Sequence, residues 1–248
     1  MQQIILYCVA CLAISFLLGS IPWGVIISKM FYRTDIREHG SGNIGTTNAI
    51  RTMGVVGGVA VFSLDFVKGL LAGVLAMALG LLAAWNVSQA SLATLVDGGE
   101  PIVMFGLQLS DSTVLSAFNT HIYGLIQGLG IFGSISGHVF SPWLHFKGGK
   151  GIAVAAGCLF FGYGWQGWLM LVAVFAVLVV ITRYVSVGSI TAAVCAPFVA
   201  YWSSGGELLF VVLVLLAASL VIWAHRSNIS RLRAGTEYRI GQKKEVQE

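Results

Sequence analysis

The chain has 248 residues, is 57% hydrophobic, carries only 10% charged residues and has a formal net charge of +4. Its mean hydropathy is +0.86. A soluble domain is about a quarter charged, so this composition excludes a water-facing globule and points to an all-α, polytopic integral membrane protein.

The first apolar run begins near Ile4 and continues into "GSIPWGVIISK". It has no basic start and no small-residue cleavage pattern, so it reads as a span and not a cleaved leader. Cys8 and Cys11 within it form a CxxC with no second pair or histidine nearby, which reads as packing.

Residues 40–48, "GSGNIGTTN", follow. Gly42 and Gly45 let backbone approach a ligand. Ser41, Asn43, Thr46, Thr47 and Asn48 supply neutral polar groups, and Arg51 supplies a planar fork suited to phosphate. The run passes into a helix, whose N-terminus favours anions. The next apolar run holds Asp65 and Lys68 at i, i+3 spacing, which reads as an intramembrane ion pair with a role in shaping a site.

No Lys or Arg lies between Gly69 and Phe146, and the segment 86–118 instead carries Asp97, Glu100 and Asp111. The next span ends near His138 and is followed by "FKGGKG". Lys147, Gly148, Gly149, Lys150 and Gly151 form a cationic glycine loop opening a helix, an anion cradle that lacks the Ser or Thr of a Walker A motif.

Residues 152–182 are too long for one upright span and short for two. Basic residues flank both ends, so the stretch is expected to be two short helices that break near Gly162–Gly167. "RYVSVGSI" and "HRSNISRLRAGTE" follow, the latter with His225 and Asn228 at i, i+3. The remaining tail arginines read as contacts to lipid headgroups.

The distribution of cations places the 33–52 loop, the 145–150 loop, Arg183 and the tail in the cytoplasm, with the acidic loop and the N-terminus outside. This gives about seven transmembrane helices, two of them short, with the C-terminus cytoplasmic. All four polar glycine- and cation-rich stretches then converge on one face. The chain has no HExxH, no GxSxG and no HxxxxD, and few carboxylates on that face, which argues against a paired-carboxylate or two-metal site.

These blocks, in this order, closely resemble those of the bacterial acyl-phosphate:glycerol-3-phosphate acyltransferase family across nearly the whole chain. The resemblance implies one membrane-embedded domain over 1–248, with an outer loop at about 86–118 and a basic tail at about 226–248. It implies acyl transfer from acyl phosphate to the 1-hydroxyl of glycerol 3-phosphate, the first acylation of phospholipid synthesis. The implied setting is the bacterial inner membrane, with the active site facing the cytoplasm.

Ser41, Arg51, His225 and Asn228 match catalytic positions. Gly42, Asn43, Gly45, Thr47, Asn48, Lys147, Gly148, Gly149, Lys150, Gly151 and Ser186 match substrate-binding positions. Asp65, Lys68, His138 and Glu237 are expected to support them. No metal or cofactor is implied. The implied partners are acyl phosphate, glycerol 3-phosphate and membrane lipid, with functional coupling to an enzyme that forms acyl phosphate and no nucleic acid. Glycine-loop N–H groups or Asn and Ser side chains are the candidate oxyanion donors.

Thr46 departs from the family's usual Ala, and the outer loop is longer than usual. Two other readings fit parts of the sequence: a transporter of a phosphorylated small molecule, although no internal repeat is evident, and a non-catalytic headgroup scaffold, which leaves "GSGNIGTTN" unexplained.

Overall fold

The computed structural model describes residues 2–96, 103–104, 107–108 and 112–241. The order is α1 (Gln2–Ser20), α2 (Trp23–Tyr32), α3 (Thr46–Val96), a two-residue strand pair β1 (Val103–Met104) and β2 (Leu107–Gln108), then α4 (Ser112–Val139), α5 (Ile152–Thr182), α6 (Val185–Ser203), α7 (Leu208–Ala224) and α8 (Arg226–Arg233). Apart from one antiparallel β pair, with Val103 opposite Gln108, the regular elements among the described residues are helices. The apolar residues sit on all sides of the helices. Many large ones, such as Val180, Phe198 and Leu208, are exposed, because the surrounding solvent is hydrocarbon and not water. Among the described residues, four helical stretches are long and apolar enough to cross a membrane, among them Gln2–Tyr32, which comprises α1 and α2.

Two of the long helices are each broken by one glycine. In α3, Gly54 has φ 77° and ψ −178°, and in α5, Gly164 has φ 67° and ψ 172°. This backbone region is open essentially to glycine alone. At each glycine the chain turns back on itself. Trp168 Nε1 donates to Ala156 O at 2.7 Å, although twelve residues of straight helix would separate them by about 18 Å. Likewise a Cβ on Gly58 would lie 2.1 Å from Ile50 Cγ1. The break expected near Gly162–Gly167 is therefore at Gly164. The break at Gly54 was not read from the sequence, which showed only a helix opening after "GSGNIGTTN". Each hairpin pairs a short arm (46–53 and 152–163), opening directly from a polar glycine loop, with a long one (55–96 and 165–182).

The long arm 55–96 runs roughly 60 Å at 1.5 Å per residue, about twice the hydrocarbon thickness. The segment expected as a loop from 86 to 118 is consequently helical up to Val96 and again from Ser112. Asp97, Glu100 and Asp111 lie outside the described residues.

The helices meet through glycine, as close packing in lipid requires. Gly69 lies against the Val154 carbonyl and Gly157 against the Phe66 carbonyl, so α3 and the short arm of α5 touch backbone to backbone. Gly19 and Gly137 do the same between α1 and α4. The result fixes the ends of α4, α5 and α7 around one core, which contains Ile135, Val139, Cys158, Tyr163, Val214 and Val221.

Candidate active site

The "GSGNIGTTN" loop is organised by Asn48, which is 2% exposed. Its Nδ2 donates to the carbonyls of Ile36, His39 and Asn43, and its Oδ1 accepts from the Ser41 N–H at 2.8 Å. Asn43 Oδ1 in turn accepts from the Gly45 N–H. Asn48 therefore holds the shape of the loop, leaving the Ser41 side chain exposed and Thr47 on the first turn of the short arm.

"FKGGKG" turns back under α4. The Gly148 N–H donates to Val139 O and the Gly149 N–H to His138 O. A Cβ on Gly148 would sit 2.0 Å from His138 O, and one on Gly149 would sit 2.2 Å from His138 Nε2. These glycines are required by close approach. Their N–H groups, with those of Ser41, Gly42 and Gly45, are already bonded. The expectation that these loop amides supply the oxyanion donors is corrected accordingly. At the end of this loop the first turn of α5, which begins after Gly151 at φ 81°, presents N–H groups that have no partner within the helix.

Behind this loop lies a buried triad. Lys68 Nζ is 2.8 Å from Asp65 Oδ1, 2.6 Å from Ile21 O and 3.0 Å from His138 Nδ1. An ammonium only donates, so Ile21 O and His138 Nδ1 accept two of its protons, Asp65 meets it as an ion pair, and His138 carries its own proton on Nε2. Asp65 and Lys68 are each 2% exposed. The expected ion pair is present, and His138 joins it to the loop.

The polar end of α7 completes the site. His225 caps α7 and is buried. Its Nδ1 lies 2.8 Å from Val221 O. A carbonyl only accepts, so Nδ1 bears the hydrogen and Nε2 has a bare lone pair. Burial, with help from the nearby Lys150 charge, pushes the His225 imidazole down to about 4, against the opposing pull of the Val221 bond and Glu237.

Asn228, on α8, donates from Nδ2 to Glu237 Oε1 at 2.6 Å, and Arg231 Nε donates to Glu237 Oε2 at 2.7 Å. The carboxylate thus fixes the orientation of the amide, leaving Asn228 Oδ1 buried without a partner. Ser186 lies beside the same carboxylate without a well-formed hydrogen bond. Burial alone would raise the Glu237 carboxyl, but the bonds from Asn228 and Arg231 outweigh it and hold it below the usual carboxylate value.

Lys150 is in electrostatic reach of Arg231, Glu237 and Arg51. Burial, followed by the repulsion of the two arginines, pushes its ammonium down to about 8, with Glu237 opposing. Three cations thus lie in electrostatic reach of one carboxylate, with Arg231 bonded to it. The structure gathers Arg51, Lys150, Ser186, His225, Asn228 and Glu237. Among the described residues, no hydrogen bond or ion pair ties Ser41, Thr47 or Lys147 to that cluster. Arg231, read from the sequence as a headgroup contact, belongs to the site. Its signal was the Glu237 six residues on, but nothing in the sequence says that the chain turns back to pair them.

Below the cluster is an apolar cavity of about 300 Å³. Ile152 and Val221 line the end next to Gly151 and His225, and Tyr163 lines it three helical turns deeper. Tyr163 is anchored by its hydroxyl to Ala196 O at 2.9 Å.

The family model for "Glycerol-3-phosphate acyltransferase" matches residues 9–235. The chain belongs to the glycerol-3-phosphate acyltransferase family. The acyltransferase of Lactiplantibacillus plantarum is 35% identical over 226 residues, covering 91% of this chain and 88% of the relative. That of Trichlorobacter lovleyi is 38% identical over 223 residues, covering 90% and 92%. The crystal structure of PlsY (YgiH), described as an integral membrane glycerol 3-phosphate acyltransferase in its glycerol 3-phosphate form, superposes with a TM-score of 0.67. It is 32% identical and covers 94% of this chain and 96% of that one. Its lysophosphatidic acid form gives a TM-score of 0.64 at 31% identity. The acyltransferase fold is thus shared from the first span through α8.

Proposed function

We propose that this membrane protein transfers an acyl chain from acyl phosphate to the 1-hydroxyl of glycerol 3-phosphate, giving lysophosphatidic acid and phosphate. The observation that carries the reading is the set of three cations in electrostatic reach of one carboxylate, near His225 and Asn228 Oδ1, which has no hydrogen-bond partner among the described residues, with an apolar cavity lined by Ile152 and Val221 close by. Two polyanionic heads suit the cations, and an acyl tail suits the cavity. The relatives bear the acyltransferase name, and PlsY structures are described in glycerol 3-phosphate and lysophosphatidic acid forms.

In the reaction, the 1-hydroxyl oxygen attacks the acyl carbonyl carbon. The bond from that carbon to the phosphate oxygen breaks, and phosphate leaves with the electron pair. The hydroxyl proton needs an acceptor. With its imidazole at about 4, His225 is a weaker base than a phosphate oxygen, whose second pKa is near 6. The proton of the 1-hydroxyl therefore passes to substrate phosphate, and His225 Nε2 and Asn228 Oδ1 are acceptors that orient glycerol 3-phosphate through its other hydroxyl. Arg51 and Lys150 hold the phosphates, and Ser41 and the first-turn N–H groups of α5 face the developing oxyanion.

This reading treats 1–248 as one domain. It has about seven spans, the glycine-hinged short arm of α5 counted among them, and the site faces the cytoplasm of the bacterial inner membrane with the N-terminus outside, as the cation bias supports. An enzyme that forms acyl phosphate must supply the donor.

The test uses detergent-purified protein with labelled glycerol 3-phosphate, and palmitoyl phosphate or palmitoyl-CoA in parallel. Lysophosphatidate should form from the acyl phosphate alone. Equal product from the CoA ester refutes the donor assignment. No product from either donor with a monodisperse protein refutes the enzymatic reading.

A further inference from the structure

Arg51 has an unusual environment for a residue at the centre of a polar site. Among the described residues its guanidinium accepts no ion pair and makes no hydrogen bond, although Glu237 is in electrostatic reach. Glu237 is instead occupied by Asn228 and Arg231. The contact Arg51 does make is with an aromatic face: its Cζ lies 4.3 Å from the centroid of the Tyr238 ring. Tyr238 was not singled out in the sequence.

The ring is presented by a strap anchored on both sides of it. Before it, the Thr236 N–H donates to Arg231 O, and Glu237 is held by Asn228 and Arg231. After it, Arg239 Nε donates to Tyr184 Oη at 2.8 Å, and the Ile240 N–H donates to Arg183 O at 2.9 Å. Residues 236–240 thus run from α8 to the start of α6 and set the ring against the short arm of α3.

We propose that Tyr238 is a positioning residue for Arg51, holding the guanidinium plane by a cation–π contact so that all five of its N–H donors remain free for substrate phosphate. A carboxylate in the same place would hold the side chain but neutralise it and occupy its donors. The ring attracts the cation through its quadrupole and occupies none. The contact also lowers the freedom Arg51 must lose when substrate arrives, so its effect appears in substrate binding. The proposal rests on the reading of Arg51 as a phosphate-binding residue.

The test compares KM and kcat for both substrates in the purified acyltransferase. Arg51→Lys first identifies the substrate whose KM depends on the fork. Tyr238→Leu, which keeps bulk but has no π face, should raise the KM for that same substrate by roughly two- to fivefold, the range a half-exposed cation–π contact supports. Its kcat should stay near wild type, and Tyr238→Phe and Tyr238→Trp should keep the wild-type KM. A second series, phenylalanines bearing increasing numbers of fluorines at position 238, drains the ring face while keeping its shape, and KM should climb stepwise. A flat KM across that series, a wild-type KM in Tyr238→Leu, or a Phe variant as impaired as Leu overturns the proposal. A fully active Arg51→Ala overturns the phosphate-binding reading itself, whereas an inactive Arg51→Ala with a flat series overturns only the role of Tyr238.

Discussion

Lys150 makes the site sensitive to alkaline pH. Its ammonium sits among Arg51 and Arg231, is partly buried, and is pushed down to about 8 from 10.5. If the charged form holds substrate phosphate, kcat/KM should be level near pH 7 and fall tenfold for each unit above about 8. At pH 9 roughly a tenth of the molecules carry the charge, so the rate should be near a tenth of its plateau. Lys150→Arg carries a cation that does not titrate in this range, so its profile should stay level to pH 9.5 even if its plateau is lower. Glu237→Gln removes the charge that supports the ammonium, and should move the alkaline limb of the profile to lower pH.

Unfolding is separable by sign. A lysine whose pKa is lower in the folded state leaves the unfolded chain binding more protons between about 8 and 10.5, so its contribution to stability improves as pH rises through that window. Activity should fall where this contribution grows. The assay is initial-rate acyl transfer from pH 6 to 9.5, with donor hydrolysis subtracted at each point and thermal unfolding measured in the same buffers. A wild-type profile flat to pH 9.5, or an identical alkaline limb in Lys150→Arg, would falsify the assignment of that limb to Lys150.

Three further outcomes are expected. His225→Ala should retain a few per cent of the rate with the wild-type pH dependence, because the imidazole orients and does not take the proton; loss of one limb of the profile would restore His225 as the base. Gly164→Ala, placed at φ 67°, should lower stability by about 1–3 kcal/mol, read as a lower melting temperature in detergent; an unchanged midpoint would refute the strained hairpin. Lys68→Met leaves Asp65 buried without its cation and should destabilise by about 3–5 kcal/mol, while Lys68→Met with Asp65→Leu should recover much of the loss. Equal unfolding midpoints for the single and double variants would show that the pair is not coupled.

Much of the site was legible in the sequence because its parts are local. A loop dense in glycine, amide and hydroxyl followed by Arg51, two lysines bracketing Gly148 and Gly149, and His225 three residues before Asn228 each announce their chemistry within one short segment. Cation bias and apolar length also determined the membrane class and the break in residues 152–182, since bilayer thickness sets how long a span can be.

What the sequence could not determine is which groups remain available. Asn48 and the amides of Gly148 and Gly149 have the right chemistry for a ligand, but the fold commits them to loop and helix carbonyls. Gly54 resembles any glycine of a membrane helix until Gly58 is found against Ile50. Arg231 and Tyr238 are distant in sequence from the residues they serve, or separated from them by a turn that no local pattern encodes. Segment length, charge and motif chemistry are properties of a stretch of chain, and the sequence alone determined those. Pairing between segments depends on how the bundle brings its ends together, so the tertiary structure alone decided that Glu237 orients Asn228, that Tyr238 faces Arg51, and that Val221, whose carbonyl holds His225, lines the apolar cavity.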